Sequence, residues 1–152
     1  MSLDLQAPSP VAERQLSLSG CCAVLDRHRE GRMFYQSGRG PRAVVVTYAL
    51  DGDGVLVRLP SYNELLQYSR DAETTLEVDE VCSPSGRSAT VLVTGKPHIC
   101  CPRSTALNCL EHWPHGVPTT VLKLPLTDVR GSEHPAPHDR PAESDGVTGS
   151  SC

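Results

Sequence analysis

The hydrophobic pattern changes from a helical period to a strand period near the start of the chain. From residue 16 to residue 29 the apolar side chains recur every three or four positions, which predicts an amphipathic helix. Ser17 or Ser19 would be its N-cap. Gly31 ends this pattern, and alternation of apolar and polar residues begins after it. The pattern therefore predicts one opening helix followed by strands.

Short strands separated by turns are predicted for most of the remaining chain. The Asp51-Gly52-Asp53-Gly54 sequence between two Val-rich runs is the strongest hairpin signal, so its flanking strands should be antiparallel neighbours. Two short helices are predicted, over residues 63–69 with Ser61 as the cap, and over residues 103–111. The six predicted strands are 31–38, 42–50, 55–59, 74–81, 89–94 with a bulged extension to 101, and 119–129 interrupted at Pro125. A further turn is predicted at 83–86.

These elements predict a mainly β fold with short α segments. Six strands joined by a hairpin and short helices favour a six-stranded antiparallel barrel with helical lids over a βαβ fold. At 152 residues the chain has room for one domain. We expect a flexible leader over 1–15, the barrel over 16–133, and a disordered tail rich in Pro, Ser and Gly over 134–152.

Charge and composition narrow the classes of function. The net charge is −4 and the 14 basic residues form no run, which argues against nucleic acid as a partner. There is no apolar stretch of membrane-spanning length and no signal-peptide pattern, so a cytoplasmic protein without membrane contact is predicted. Seven cysteines, an odd number without a CxxC pair, favour free thiols over disulfides.

Catalytic motifs are few in this sequence. The glycine-rich dinucleotide motif, the P-loop, GxSxG and HExxH are all absent from it. Asp79 and Glu80 are adjacent, so on a strand they would point to opposite faces and could not act as a paired acid and base. We therefore assign no catalytic residue, and whether the chain is an enzyme stays open.

A group of Cys and His residues lies between residues 98 and 115. Its members are His98, Cys100, Cys101, Cys109, His112 and His115. Cys109 and His112 would share one face of a helix, and His98 would share a strand face with Cys100. Four such ligands could hold zinc tetrahedrally. Because the spacing matches no known zinc module, zinc binding remains an alternative and no metal site is assigned.

Arg58 is a charge inside an otherwise apolar run that ends at Pro60. The turn that follows opens a short helix, and a guanidinium beside such backbone N–H groups can bind a phosphate. The alternative is an arginine on the solvent face of an edge strand. Trp113 is the only tryptophan and precedes Pro114 in a loop, where it would cover a ring or insert into a neighbouring subunit.

Residues 18–131 resemble small actinobacterial members of the pyridoxamine 5'-phosphate oxidase-like family, which are FMN-binding split barrels. The segments that carry the resemblance are LSGCCAVLDRHREGRM, PRAVVVTYALDGDGVLVRL, LEVDEV, VLVTGKP, EHWPHG and LTDVRG, in this order. The resemblance implies a homodimer with two flavin sites at the subunit interface. It implies an FMN-dependent oxidoreductase or flavin-binding protein of unidentified substrate, in which the flavin supplies the redox chemistry. Some members bind a deazaflavin or haem instead.

The same resemblance implies where FMN would lie. For the flavin phosphate the implied residues are Arg58, Pro60, Ser61, Tyr62 and Asn63. The implied ring contacts are Val46, Thr47 and Tyr48 along their strand, with Trp113 from the partner chain.

Three positions depart from the family's pattern. Glu64 stands where relatives have a lysine, Val45-Val46-Thr47 replaces Pro-Val-Asn, and Ala89 replaces a tryptophan. A desolvated carboxylate facing the phosphate would cost on the order of several kcal/mol. A split barrel that has lost flavin and acts as a binding or accessory protein is therefore an alternative function. A haem or zinc binder is a third.

Overall fold

An antiparallel sheet of nine strands organises the fold. The computed structural model describes residues 13–70, 72–81, 86–101, 106, 110 and 114–135, and every statement below concerns these residues. The helices are α1 (Leu18–Arg27) and α2 (Glu64–Tyr68). The strands are β1 (Arg14–Gln15), β2 (Glu30–Ser37), β3 (Gly40–Asp51), β4 (Gly54–Pro60), β5 (Thr74–Glu80), β6 (Arg87–Gly95), β7 (His98–Cys100), β8 (Thr119–Pro125) and β9 (Asp128–Pro135).

The order of the strands requires the sheet to curl. They pair as β1-β9-β6-β5-β2-β3-β4-β8-β7. A two-residue turn at Leu126 and Thr127 joins β8 to β9, yet five strands lie between these two in the pairing order. The halves meet where a Cβ added to Gly95 of β6 would lie 3.5 Å from the Leu124 side chain of β8. This closure is consistent with a split barrel.

Strand β3 belongs to both halves of the sheet. Its first part pairs with β2 up to Thr47, and its last part pairs with β4 from Tyr48 to Asp51. At the changeover the Tyr48 N–H donates a hydrogen bond to the Arg29 carbonyl over 2.8 Å. Because side chains alternate along a strand, β3 presents one row of residues to the core and one row to the outside.

The main core lies between the inner face of the sheet and α1. The helix buries Cys21, Val24 and Leu25, and it packs on β9. Burial raises the pKa of the Cys21 thiol. Gly131 of β9 permits the close approach, since a Cβ there would lie 2.6 Å from the Cys21 sulfur. The Tyr48 hydroxyl donates to the Leu25 carbonyl over 2.6 Å and ties the helix to β3.

Several sequence predictions are confirmed. The fold is mainly β, antiparallel, and has short helices. Helix α1 lies within the predicted 16–29 segment, and the Ser17 hydroxyl caps it by accepting the Gly20 N–H over 3.1 Å. The Asp51–Gly54 hairpin joins β3 and β4, with Gly52 at a φ of 58° that favours glycine. The described part of the chain contains no helix long and apolar enough to span a membrane.

The prediction of six strands is wrong. The segment 119–129 forms parts of two strands, β8 and β9, because the chain reverses after Pro125 and the two pair with opposite halves of the sheet. The predicted extension of the 89–94 strand to residue 101 is the separate strand β7, which pairs with β8. Strand β1 lies inside the predicted leader 1–15, and β9 runs two residues beyond 133. The predicted 103–111 helix and 83–86 turn lie largely outside the described residues.

Candidate functional site

The three residues of β3 predicted to contact a ring divide between the two faces of the sheet. Tyr48 pairs with Val57 of β4, and both side chains are 1% exposed because they face the core. Their chain neighbours Thr47 and Arg58 consequently point outward from adjacent strands. Val46 is 3% exposed and belongs to the core with Tyr48. The structure therefore brings Thr47 and Arg58 to one face and places Val46 and Tyr48 on the other.

Arg58 lies half-buried on the outer face of β4, opposite Val121 of β8. The same face carries a small apolar cluster of Ala49, Leu56 and Leu110. A guanidinium beside such a cluster is less screened by water than one on an open surface, so its attraction for an anion is stronger. This face is the candidate cofactor site.

The turn after β4 uses much of its backbone hydrogen-bonding capacity within the protein. The Ser61 N–H donates to the Pro118 carbonyl over 2.9 Å, and the Asn63 N–H donates to the Pro60 carbonyl over 2.9 Å. The Leu66 N–H donates to the Asn63 carbonyl over 3.1 Å. An anion at this turn would therefore meet mainly side chains rather than the free amides that the sequence suggested.

Asn63, and not Ser61, caps α2, so the predicted cap is wrong. The Asn63 side-chain oxygen accepts the Leu65 N–H over 2.9 Å. The Ser61 hydroxyl instead forms a 2.9 Å hydrogen bond with the Thr120 hydroxyl of β8. Ser61 is therefore bonded to the sheet and lies two residues before Asn63, the N-cap of the helix.

Glu64 is directed toward β2. Its carboxylate accepts a hydrogen bond from the Tyr35 hydroxyl over 3.1 Å. The Tyr35 ring stacks on Tyr68, with 6.5 Å between ring centroids. Burial, followed by the hydrogen bond to Glu64, raises the pKa of the Tyr35 hydroxyl. Glu64, which stands where the family's pattern has a lysine, thus has a hydrogen-bond partner within the fold.

Two adjoining hollows flank α2, and together we call them the α2 groove. The first has a volume of about 370 Å³ and is lined by Ser61, Tyr62, Asn63, Leu66, Gln67 and Arg70. The second, also about 370 Å³, lies toward β7 and is lined chiefly by Leu66, Arg70, Pro97, His98, Ile99 and Leu122. Leu66 and Arg70 line both hollows.

A buried ionic cluster joins the end of α1 to the end of β5. Glu80 is 4% exposed and accepts hydrogen bonds from Arg27 Nε and Nη2, each over 2.8 Å. His28 Nε2 donates to the same carboxylate over 2.6 Å. The hydrogen bond from Arg27 is the main cause that lowers the pKa of Glu80, and His28 adds to it.

Sequence reasoning missed this cluster because its partners lie 52 and 53 positions apart. The sequence did predict that Asp79 and Glu80 face opposite ways, and this is confirmed. Asp79 is exposed and accepts a 2.7 Å hydrogen bond from Thr90, whereas Glu80 is buried.

Trp113, the predicted contact from a partner chain, lies outside the described residues, as do Cys109 and His112. Within the described ranges no group of three or more His, Cys, Asp or Glu residues is arranged to hold a metal ion. The cysteines that the structure describes, Cys21, Cys22, Cys100 and Cys101, are free thiols.

Comparison with known proteins identifies the fold. No protein-family model matches the sequence, and no curated protein matches it significantly. Solved structures do match. The FAD-binding protein of Mycobacterium smegmatis has 17% identity over 80% of this chain and 98% of that chain, with a TM-score of 0.69. A provisionally named pyridoxamine 5'-phosphate oxidase of Corynebacterium glutamicum has 16% identity over 82% and 94%, with a TM-score of 0.66.

A third structure adds a second cofactor to the comparison. The FAD- and haem-binding protein of Mycobacterium smegmatis has 14% identity over 82% of this chain and 74% of that chain, with a TM-score of 0.63. At such identities the likeness concerns the fold. The chain therefore has the split-barrel fold of the pyridoxamine 5'-phosphate oxidase-like proteins, as its sequence predicts.

Proposed function

We propose that this protein binds FMN on the outer face of β3 and β4 and serves as a flavin-dependent oxidoreductase or a flavin carrier. The observation that supports this most is the half-buried Arg58 guanidinium on the same face as the Thr47 side chain. The fold adds support, because two of its structural neighbours are FAD-binding proteins. A bound flavin would supply the redox chemistry, and the chain would position it.

Side chains of β4 and the following turn would hold the flavin phosphate. Arg58 can form charge-assisted hydrogen bonds to it, which are about twice as strong as neutral ones. The Ser61 hydroxyl and the amide NH₂ group of Asn63 are further donors of the turn. Glu64 weakens the site less than its charge suggests, because its carboxylate bonds to Tyr35. This donor set fits one phosphate group.

The isoalloxazine ring would contact β3 through the Thr47 side chain and the strand backbone. Val46 and Tyr48 support that strand from the core side, where both are buried. Trp113 of a partner chain completes the proposed site.

A homodimer is part of the same proposal. On the outer face of the neighbouring strands β2 and β3, two large apolar side chains are exposed, Phe34 at 38% and Val45 at 60%. Exposed apolar groups on one face are typical of an interface. Light scattering should then give twice the 16.4 kDa chain mass, and Val45→Glu should give the chain mass. A wild-type mass of one chain would contradict the dimer.

FMN titration of the purified protein tests the proposed function. Saturable quenching of flavin and Trp113 fluorescence is expected for the wild type. Arg58→Gln should weaken binding about 10- to 100-fold, since hydrogen bonds to charged groups contribute about 1.5–3 kcal/mol. Arg39→Gln is the matched control, because Arg39 is exposed in the β2–β3 turn, and it should bind as the wild type does. Absence of quenching at tens of micromolar FMN would refute the proposal.

One observation favours a second candidate function. The amides of Ser61, Asn63 and Leu66 are engaged within the protein, as expected for a barrel that has lost flavin and acts as a binding or accessory protein. The absorbance spectrum separates the candidate functions. Flavin bands support the first candidate, and a Soret band indicates haem. A spectrum with neither feature, together with no FMN binding, favours the second candidate. A deazaflavin would show its own absorbance band.

A further inference from the structure

We infer that the α2 groove binds a small carboxylic acid with an apolar body, its carboxylate on Arg70 and its body between Leu66 and Ile99. The hollow toward β7, which carries Leu66, Arg70 and Ile99, is lined by none of the residues proposed to hold the flavin phosphate. The other hollow of the groove shares Ser61 and Asn63 with that site, so the inference concerns the hollow toward β7. Ile99 pairs with Leu122, which belongs to the core-facing row of β8, whereas Arg58 pairs with Val121 on the outward-facing row. Occupants of the two sites would therefore approach opposite faces of this part of the sheet.

Arg70 is placed to receive the carboxylate. It follows α2 directly, is exposed, and lines both hollows of the groove. Its side chain forms no hydrogen bond or ion pair with another residue in the described part of the chain. By contrast, Arg27, Arg14 and Arg32 each bind a carboxylate of the fold. A guanidinium without such a partner offers its two-pronged donor geometry to a carboxylate ligand.

The charges around the groove favour an anion. The chain has 18 acidic residues, yet none of those described lines either hollow. Of the described acidic residues close to Arg70 along the chain, Glu64 is turned to Tyr35 and Glu73 is exposed and lines neither hollow. Arg70 is therefore the one arginine, lysine or acidic residue among the described residues that line the groove, and its charge attracts small anions.

The wall opposite Arg70 is apolar and open to solvent. Leu66, Pro97, Ile99 and Leu122 form most of the hollow toward β7. Ile99 is 53% exposed, so an apolar ligand body would remove part of its surface from water. A volume of about 370 Å³ lies in the range of small-molecule sites. A cation at one wall and an apolar strip at the other match an amphipathic acid.

Octanoate, with octanamide as its neutral counterpart, tests this inference by amide chemical-shift titration of the full chain. Saturable shifts are expected at Leu66, Arg70 and Ile99, with tighter binding of octanoate than of octanamide. Arg70→Gln should weaken the binding of octanoate about tenfold and leave the binding of octanamide unchanged. Arg39→Gln, on an exposed turn away from α2, should change neither. Ile99→Ser should weaken both ligands about threefold, because each loses apolar contact.

Three results would overturn the inference: no saturable shifts at α2 and β7 with octanoate, equal affinity of the wild type for the two ligands, or undiminished octanoate binding by Arg70→Gln. Amide shifts elsewhere show whether Arg70→Gln retains the fold, which is expected because Arg70 is exposed. The titration contains no FMN, so its outcome is independent of the flavin proposal.

Discussion

The two helices are attached to the barrel in opposite ways. Helix α1 ends in a cluster in which Arg27 and His28 bind the buried Glu80 carboxylate, and its Leu25 carbonyl accepts the Tyr48 hydroxyl. Helix α2 is followed by Arg70, whose side chain has no partner among the described residues. Charges that are buried with their partners hold an element in place, whereas a charge left beside a hollow is available to a ligand.

The two helices also differ in their length and in how many side chains they bury. Helix α1 has 10 residues and buries three side chains over the core, one of them against Gly131 of β9. Helix α2 has five residues and buries only Leu65 and Leu66. So short a helix is stabilised by its tertiary contacts and its cap rather than by its own backbone. We therefore expect the α2 end to open at lower free energy than the α1 end.

The largest expected effect comes from breaking the α1 cluster with Glu80→Gln. The change removes the charge that pairs with Arg27, whose side chain is 41% exposed, so the loss should fall below that of a fully buried pair. We expect the free energy of unfolding to fall by about 2 kcal/mol in urea titrations. Asp79→Asn, one residue away on the exposed face, should cost about 0.5 kcal/mol. Equal effects of the two substitutions would contradict the structural role of the cluster.

The second prediction concerns the pH dependence of that same cluster. The folded-state pKa of Glu80 lies below its ordinary value of 4.5, so the unfolded chain takes up this proton first as the pH falls. The stabilisation is therefore complete above about pH 4.5 and is lost as the pH falls toward the folded pKa. The difference in unfolding free energy between the wild type and Glu80→Gln should be constant near neutral pH and shrink below 4.5. A constant difference through this acid range would contradict a lowered pKa of Glu80 in the folded state.

The smallest expected effect comes from removing the cap of α2 with Asn63→Ala. The loss of one cap should cost about 0.5–1 kcal/mol. Because α2 is expected to open locally, hydrogen exchange should accelerate at the Ser69 N–H, which bonds to the Leu65 carbonyl. Exchange at the Cys21 N–H of α1 should change little. Ser17→Ala removes the cap of α1 and is the matched control, which should instead lower global stability by about 1 kcal/mol. Loss of α1 protection in Asn63→Ala would contradict the comparison.

The sequence predicts the first half of the fold well because its signals there are local. The spacing of apolar residues before Gly31 specifies α1, and the Asp-Gly repeat at 51–54 specifies the β3–β4 hairpin. The second half depends on distant pairing. Pro125 marks an interruption in the sequence, but only the sheet shows that the chain reverses there and that β8 and β9 join different halves.

The candidate site is predicted less completely for the same reason. Arg58 is visible as a lone charge in an apolar run, and its outward position follows from strand alternation. The same alternation, applied to β3, would have separated Thr47 from Val46 and Tyr48. The bonds of Ser61 to Pro118 and Thr120 join positions far apart in the chain, so no local pattern could have shown them. Asn63 could have been predicted as the cap of α2, because Asn is a preferred N-cap residue and its bond to the Leu65 N–H is local.

The connection at Leu126 and Thr127 bears on the order in which the chain folds. It joins β8 and β9 through two residues, although their pairing partners β4 and β6 lie on different halves of the sheet. Neither strand can complete its pairing until the intervening strands have formed and curled. Contacts of long sequence separation slow folding, so the rate-limiting step should be closure of the barrel rather than formation of the β3–β4 hairpin. The pairing of β8 and β9 is therefore complete only when the whole barrel has formed.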